Sequence, residues 1–378
     1  MKRLLPLSLF FLLQAAWAQE DLSQDTVVQP VPIIEKLFNT ADHVLDWVSG
    51  ERWAFIPAVT YSPETRLGLG IRAIRIFRPE EGSINRPSTL PITFLYTLNK
   101  QMVFSSSLDL WINENADHLS ARIELSDYPF EYYGFGNDQA GKQAENYASK
   151  KIHTILGYQK RLGQRFYIGP QYAFKWEDIY QLTKGGLLDS GQVPGSGGQR
   201  ISGLGLALSY DTRNNIFQPD QGAYHQVQWM SYQPFLGSQF SFTKYLLDFR
   251  KYIPAYKKQV LAVQAWYSFV AGNAPFQEVS LIGGSDVMRG YFEGSYRDRH
   301  AMVYQSEYRV PVHRKLGVVF FGSAGQVANR LSAFSLKGFK YGGGLGFRYQ
   351  LTDDGLNLRL DLAYGNQSSL YFGLNEVL

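Results

Sequence analysis

Leu119-Ser120-Ala121-Arg122-Ile123-Glu124-Leu125 alternates without a break, with Leu119, Ala121, Ile123 and Leu125 on one side and Ser120, Arg122 and Glu124 on the other. Successive side chains of a β-strand point to opposite faces, so this segment has one apolar face and one charged face. The pattern recurs along the chain. Met102, Phe104, Leu108, Leu110 and Ile112 face away from Ser105, Ser107 and Asp109, and Phe166, Ile168, Tyr172, Phe174 and Trp176 oppose Arg165, Gln171, Lys175 and Glu177. Near the end, Leu356, Leu358, Leu360, Leu362 and Tyr364 oppose Asn357, Arg359 and Asp361. A soluble sandwich also alternates, but its strands run nearer ~5 to 6 residues. These runs are mostly about 9 to 13 residues, the length a tilted strand needs to cross a bilayer.

Sixteen such runs follow Arg52, centred near Ile56, Ile71, Phe94, Leu108, Ile123, Ile155, Tyr172, Leu206, Gln228, Leu246, Gln264, Gln305, Phe320, Gly344, Leu360 and Tyr371. The expectation is an all-β fold, a membrane-spanning antiparallel β-barrel over residues 51–378. An even strand number closes such a barrel with no free edge. The short links at Asn99-Lys100 and Leu162-Gly163-Gln164 are expected as turns at one, periplasmic, end. Longer stretches at Ser126 to Ser149, Asp178 to Gly198 and Gly272 to His300 are expected as loops at the other.

The N-terminus fits export. Lys2 and Arg3 precede an apolar stretch from Leu4 to Leu13, and Ala16-Trp17-Ala18 supplies an A-x-A cleavage pattern, so residues 1–18 read as a signal peptide. No later segment reaches about 18 consecutive apolar residues, which excludes spanning helices. Residues 19–50 divide into a polar linker to Pro32 and a short amphipathic helix, on which Ile33, Ile34, Leu37, Phe38, Ala41, Val44, Leu45 and Val48 recur at helical spacing. That helix packs at the periplasmic rim or gates the lumen, and it leaves no room for a folded periplasmic domain. The 25 Tyr, 25 Phe and 7 Trp suit the aromatic girdles of a membrane barrel, and the absence of Cys means that no disulfides staple the fold. Removing Lys2 and Arg3 takes the basic count from 37 to 35 against 33 acidic residues, a balance of +2 that gives nucleic acid no purchase.

Enzyme chemistry has no foothold in the pattern. His43, His118, His153, His225, His300 and His313 form no metal-binding i, i+4 pair, and neither H-E-x-x-H nor G-x-S-x-G occurs. A lipid hydrolase needs a Ser and a His at the lumen rim, which spacing does not place. Gly342-Gly343-Gly344-Leu345-Gly346 lacks the Lys-Ser/Thr of a phosphate loop and reads as a strand with little inward bulk. No catalytic residue, metal ligand or cofactor is expected.

Several motifs resemble those of the bacterial surface antigen family, the barrel superfamily of BamA, TamA and the two-partner secretion transporters. Gly283-Gly284-Ser285-Asp286-Val287-Met288-Arg289-Gly290-Tyr291 resembles the family's VRGF/Y motif. Tyr210-Asp211-Thr212-Arg213-Asn214-Asn215 with Pro219 and Gly222 is similar to another recurrent barrel motif. Tyr133-Gly134-Phe135-Gly136-Asn137, Glu307-Tyr308-Arg309-Val310-Pro311, Phe321-Gly322-Ser323-Ala324-Gly325 and Tyr371-Phe372-Gly373-Leu374 fit in the family's order. Two departures stand out: the chain lacks the POTRA repeats that gather clients for family insertases, and Ser323 stands where the family's phenylalanine-x-aspartate-x-glycine segment has its aspartate.

The resemblance implies that the tip of the sixth extracellular loop, with Gly283, Gly284, Arg289, Gly290 and Tyr291, folds back into the lumen, its arginine held by acidic groups on the two strands that follow. By alternation Glu307 faces inward with Gln305 and Arg309 and is the expected partner, while Ser323 offers only a hydroxyl and predicts a weaker clamp. The resemblance also implies that the first and last strands meet as a lateral seam. Pro57 cannot donate a ladder hydrogen bond there and Gly373 weakens pairing. Two functions compete: insertion or translocation of envelope proteins through that seam, and a passive pore. Expected partners are outer-membrane lipids, a client barrel or secreted protein, and a periplasmic accessory chain replacing the missing repeats.

Overall fold

The computed structural model describes residues 53–62, 66–77, 86–138, 143–352 and 355–378. The signal peptide, linker and amphipathic helix expected before residue 51 lie outside these described residues. Eighteen strands follow in order: β1 Ala54–Ser62, β2 Arg66–Phe77, β3 Ser88–Thr97, β4 Met102–Ile112, β5 Asp117–Tyr132, β6 Glu145–Leu162, β7 Phe166–Tyr180, β8 Gly198–Asp211, β9 Gly222–Tyr232, β10 Phe242–Pro254, β11 Val260–Gly272, β12 Ser280–Ile282, β13 Tyr296–Asp298, β14 His300–His313, β15 Leu316–Ala328, β16 Lys340–Gln350, β17 Asn357–Tyr364 and β18 Ser368–Leu374. Sixteen form one antiparallel sheet in chain order, and β12 and β13 form a separate hairpin inside the long link between β11 and β14. Each of the sixteen expected centres lies within its own sheet strand.

Alternation becomes two environments. Leu69, Ile71, Phe94, Ile123, Leu125, Leu156, Leu206, Trp229, Phe320, Phe347 and Leu362 are exposed on the outer wall. Gln264, Gln305, Glu307, Arg309, Arg348, Arg359 and Asp361 are buried on the inner one. An exposed apolar wall is tolerable where lipid is the solvent, and polar groups are kept inside, where partners can satisfy them. Leu356 departs from the outward set expected of its neighbours, because it precedes β17 and packs inside with Ile74 and Phe217.

Parity corrects the end assignments. In an up-and-down sheet, links from odd to even barrel strands share one end. The β3–β4 turn at Asn99-Lys100 therefore lies with the long loops, and Leu162-Gly163-Gln164, between β6 and β7, lies at the opposite end. Gln101 confirms this by donating from Nε2 to Pro129 O, near the loop end of β5, at 3.4 Å. The stretch 126–149 is also mostly strand: β5 and β6 stay paired from Ser126↔Lys151 to Tyr132↔Glu145, leaving a shorter loop at 133–144.

The turn end is closed by its own chemistry. Asp211, just inside β8, takes Arg213 Nη2 at 2.9 Å and Arg86 Nη1 at 2.5 Å. Asn215 Oδ1 accepts from Phe217 N and Gln218 N at 2.7 and 3.1 Å, and Thr212 Oγ1 accepts from Ala223 N at 2.8 Å. The Asp211-to-Asn215 motif thus folds the β8–β9 turn, placing Phe217 against Ile74 and Leu356.

A sheet of this size resists unfolding by detergent at room temperature. Unheated samples should migrate on gels at an apparent size different from that of boiled ones, with circular dichroism dominated by strand.

Candidate functional site

The loop between β11 and β14 turns into the lumen. Gly283 (φ 112°) and Gly284 (φ 99°) adopt conformations that favour glycine, and Met288 is held at φ 64° by burial among Ile282, Tyr291, Tyr296, Val303 and Val327. This turn aims Arg289 at the inner wall. Arg289 Nη2 donates to Glu307 Oε1 on β14 at 2.6 Å, and Nη1 donates to Asp361 Oδ2 on β17. The Arg289 side chain is 2% exposed and both carboxylates are 0% exposed. Its guanidinium lies 3.6 Å over the Phe321 ring on β15. The tip is further pinned by Met288 N to Gln305 Oε1 at 2.8 Å, Gly290 N to the Tyr371 hydroxyl at 3.2 Å, and the Tyr291 hydroxyl to Tyr341 O at 2.8 Å.

Ser323 does not occupy the place expected of it. Its hydroxyl is directed to Gly342 O at 3.4 Å, and the second carboxylate on Arg289 comes from Asp361, three strands beyond Glu307. The clamp therefore has two carboxylates, contrary to the weaker one expected. Alternation alone put Asp361 on the inner face of β17; its meeting with Arg289 depends on barrel curvature, which no spacing rule reports.

The glycine run on β16 makes the room. Gly342, Gly344 and Gly346 share the inward face with Arg348. A Cβ on Gly342 would lie 2.9 Å from Arg289 O, and one on Gly346 would lie 2.4 Å from Asp361 Oδ1. The wall is recessed so that the loop tip and its carboxylates fit against it.

A second anchor, absent from the sequence expectations, holds the start of the loop. Glu278 accepts from Lys175 Nζ on β7 and from Gln199 Nε2 on β8 at 3.2 Å, with Lys244 Nζ on β10 at 3.9 Å. Burial alone would raise the Glu278 carboxyl, but the two ammonium groups outweigh it and hold it at about 2. Inward Lys175 was legible from alternation on β7; a single acidic loop residue carried no signal. Neighbouring loops add to the cover. Phe276 N donates to Pro194 O at 2.9 Å, Gly136 N donates to Arg297 O at 2.9 Å, and Asn137 Nδ2 donates to Gly338 O at 2.7 Å.

At the seam, β1 and β18 come within 8 Å, Cα to Cα, with no ladder between them among the described residues. Pro57 sits in β1 in register with Ile71 of β2. Gly373 pairs with Arg359, and a Cβ there would meet Arg359 Nη2 at 3.2 Å.

Removing one member of a buried ion pair costs roughly 3 to 5 kcal/mol. Arg289→Ala, Glu307→Ala and Asp361→Ala should each speed proteolysis of the 273–299 loop, and Arg289→Ala with Glu307→Ala should do no more than either alone. Additive effects would rule out the pairing. Glu278→Gln should cost toward the lower end of that range, because Lys244 is 31% exposed. The Glu278 carboxyl is depressed from its ordinary 4.5, so its contribution is complete above that value and lost as pH falls toward about 2. Cleavage at the start of the loop should rise over that acid window in wild type and be flat in Glu278→Gln.

A model of the Omp85 superfamily domain matches residues 89–376. Among solved structures, the chain is similar to BamA from Haemophilus ducreyi lacking POTRA domains 1–3, with TM-score 0.56 and 13% identity over 86% of this chain and 70% of that one. It is similar to CdiB from Acinetobacter baumannii, with TM-score 0.56 and 11% identity over 86% of this chain and 60% of that one. CdiB from Escherichia coli gives 0.57 and 10% over 86% and 63%. The chain thus spans under two thirds of the two CdiB chains. No curated protein matches. With the sixteen-stranded barrel, the inward loop and a domain match across most of its length, this chain belongs to the Omp85 superfamily of Gram-negative outer-membrane β-barrels.

Proposed function

We propose that this barrel assists the insertion or translocation of envelope proteins by opening the seam between β1 and β18, whose edge then guides a client strand. The observation that carries this reading is the loop 273–299, clamped across the lumen by Arg289 and Glu278 and bridged to its neighbours at the loop end. A loop held across the lumen at both anchors favours a lateral route at the β1–β18 junction over axial flow. It weighs against a passive pore. An unladdered strand edge is a ready template for a further strand, which is how an edge would recruit a client.

The same reading gives the remaining parts their roles. Residues 1–18 direct export, and an accessory chain at the turn end brings clients to the barrel. The lipid-facing wall contacts the outer membrane.

Cysteines placed in pairs between positions 56–60 of β1 and 370–374 of β18 should include a register that crosslinks in membranes. Oxidation of that pair should abolish assembly of newly exported outer-membrane proteins, and reductant should restore it. Unchanged assembly in the locked barrel, together with ion conductance that persists, would replace this reading with the pore.

A further inference from the structure

Beyond Leu374 the chain does not leave the barrel. Asn375 N donates to Asn357 O at 2.8 Å, and Val377 and Leu378 are buried against Tyr252, Val260 and Ala262 on β10 and β11. Arg250 Nη1 donates to Val377 O at 3.2 Å, and Arg309 Nη2 donates to Leu378 O at 2.7 Å. The residues that follow the seam strand thus cross the lumen floor to the opposite wall. Among them, Glu376 has a side chain 1% exposed, accepting from Arg348 Nε at 2.7 Å and Asn357 Nδ2 at 3.0 Å, with Arg309 Nε at 3.8 Å.

Arg309 and Arg348 also hold the loop clamp. Arg309 Nη2 reaches Glu307 Oε2 at 3.3 Å, and Arg348 Nη1 donates to Asp361 Oδ1 at 2.6 Å. Glu307 and Asp361 are the carboxylates on Arg289. Two short routes therefore run from the loop tip to Glu376, one through Glu307 and Arg309 and the other through Asp361 and Arg348. Arg359 Nε lies 3.7 Å from Asp361 Oδ2, so four guanidinium groups share three buried side-chain carboxylates, with Arg309 also on Leu378 O. Charges out of water are weakly screened, so removing one of these side-chain carboxylates leaves the arginines short of negative partners. Arg309, Arg348 and Arg359 are fixed on strands. Arg289 is the member carried on a loop and is the one that can leave.

We propose that Glu376 is a positioning residue that couples the seam strand to the lumen loop: when β18 moves and withdraws the tail, Arg309 and Arg348 draw Glu307 and Asp361 away from Arg289 and the loop tip is released. Coupling between two sites is reciprocal, so loss of the loop clamp must loosen β18 as well. Gly290, whose N–H meets the Tyr371 hydroxyl on β18, gives the loop a second grip on the same strand. This inference rests on the seam reading for its purpose, but its test needs no client. It can therefore fail while seam-dependent assembly holds, or hold while assembly fails.

The test uses the full chain in outer membranes, with two readouts: proteolysis of the 273–299 loop and the yield of the β1–β18 cysteine crosslink. Glu376→Gln should speed loop cleavage about tenfold although Glu376 itself makes no contact with Arg289. Val377→Ser, which disturbs tail packing and keeps the charge, should stay within about twofold of wild type. Arg289→Gln should lower the crosslink yield several-fold, and the Glu376→Gln, Arg289→Gln double variant should cleave no faster than Arg289→Gln alone. Should Glu376→Gln not fold, as judged by the gel shift, Glu376→Asp takes its place with an intermediate rate expected. Cleavage at the wild-type rate in the folded Glu376 variant, an equal effect of Val377→Ser, or an Arg289→Gln crosslink yield equal to wild type would each overturn the coupling.

Discussion

A guanidinium taken out of water must find carboxylate, and that requirement organises the inner wall of this barrel. Arg289 is brought to the wall by a loop, and its burial is tolerable only because Glu307 and Asp361 converge on it while Phe321 covers its face. Each carboxylate is in turn shared with a strand arginine, so no member of the cluster is satisfied by a single neighbour. Replacing such a network with apolar groups can be neutral for stability, whereas breaking it is costly. Its value here lies in fixing one arrangement of loop and wall.

Space had to be made for that arrangement. Three inward glycines on β16 hollow the wall where the loop tip lies, and Gly290 approaches the β17–β18 turn so closely that a Cβ would sit 2.6 Å from Tyr364 C. Glycine weakens a strand, so the last strands combine reduced pairing with a tightly held loop. A barrel whose final hairpin is short and glycine-interrupted is held there as much by inward side-chain contacts as by its ladder.

The loop has anchors of opposite sign. Its start carries an acid onto lysines of β7 and β10, and its tip carries a base onto carboxylates of β14 and β17. Exchanging the two ends would set like charge against like, so the polarity specifies the loop's direction across the lumen. Apolar packing of Phe276 with Tyr132, Tyr147 and Leu188 fills the outer side.

The sequence by itself determined the strands and their faces, because a period of two and an apolar face toward lipid are local properties that each segment displays alone. It also placed Glu307, Arg309, Arg359 and Asp361 on polar, inward faces, and the order of the Gly-Gly-Ser-Asp and Arg-Gly-Tyr motifs marked the loop. Which inward groups meet was decided by the tertiary structure. Strand parity sent Asn99-Lys100 to the loop end, and the curvature of the sheet brought Asp361 to the position expected of Ser323. The long reach of the tail put Glu376 beside arginines of two separate strands. Charge pairing across a lumen depends on register, tilt and curvature summed over many strands, and no local pattern carries that sum.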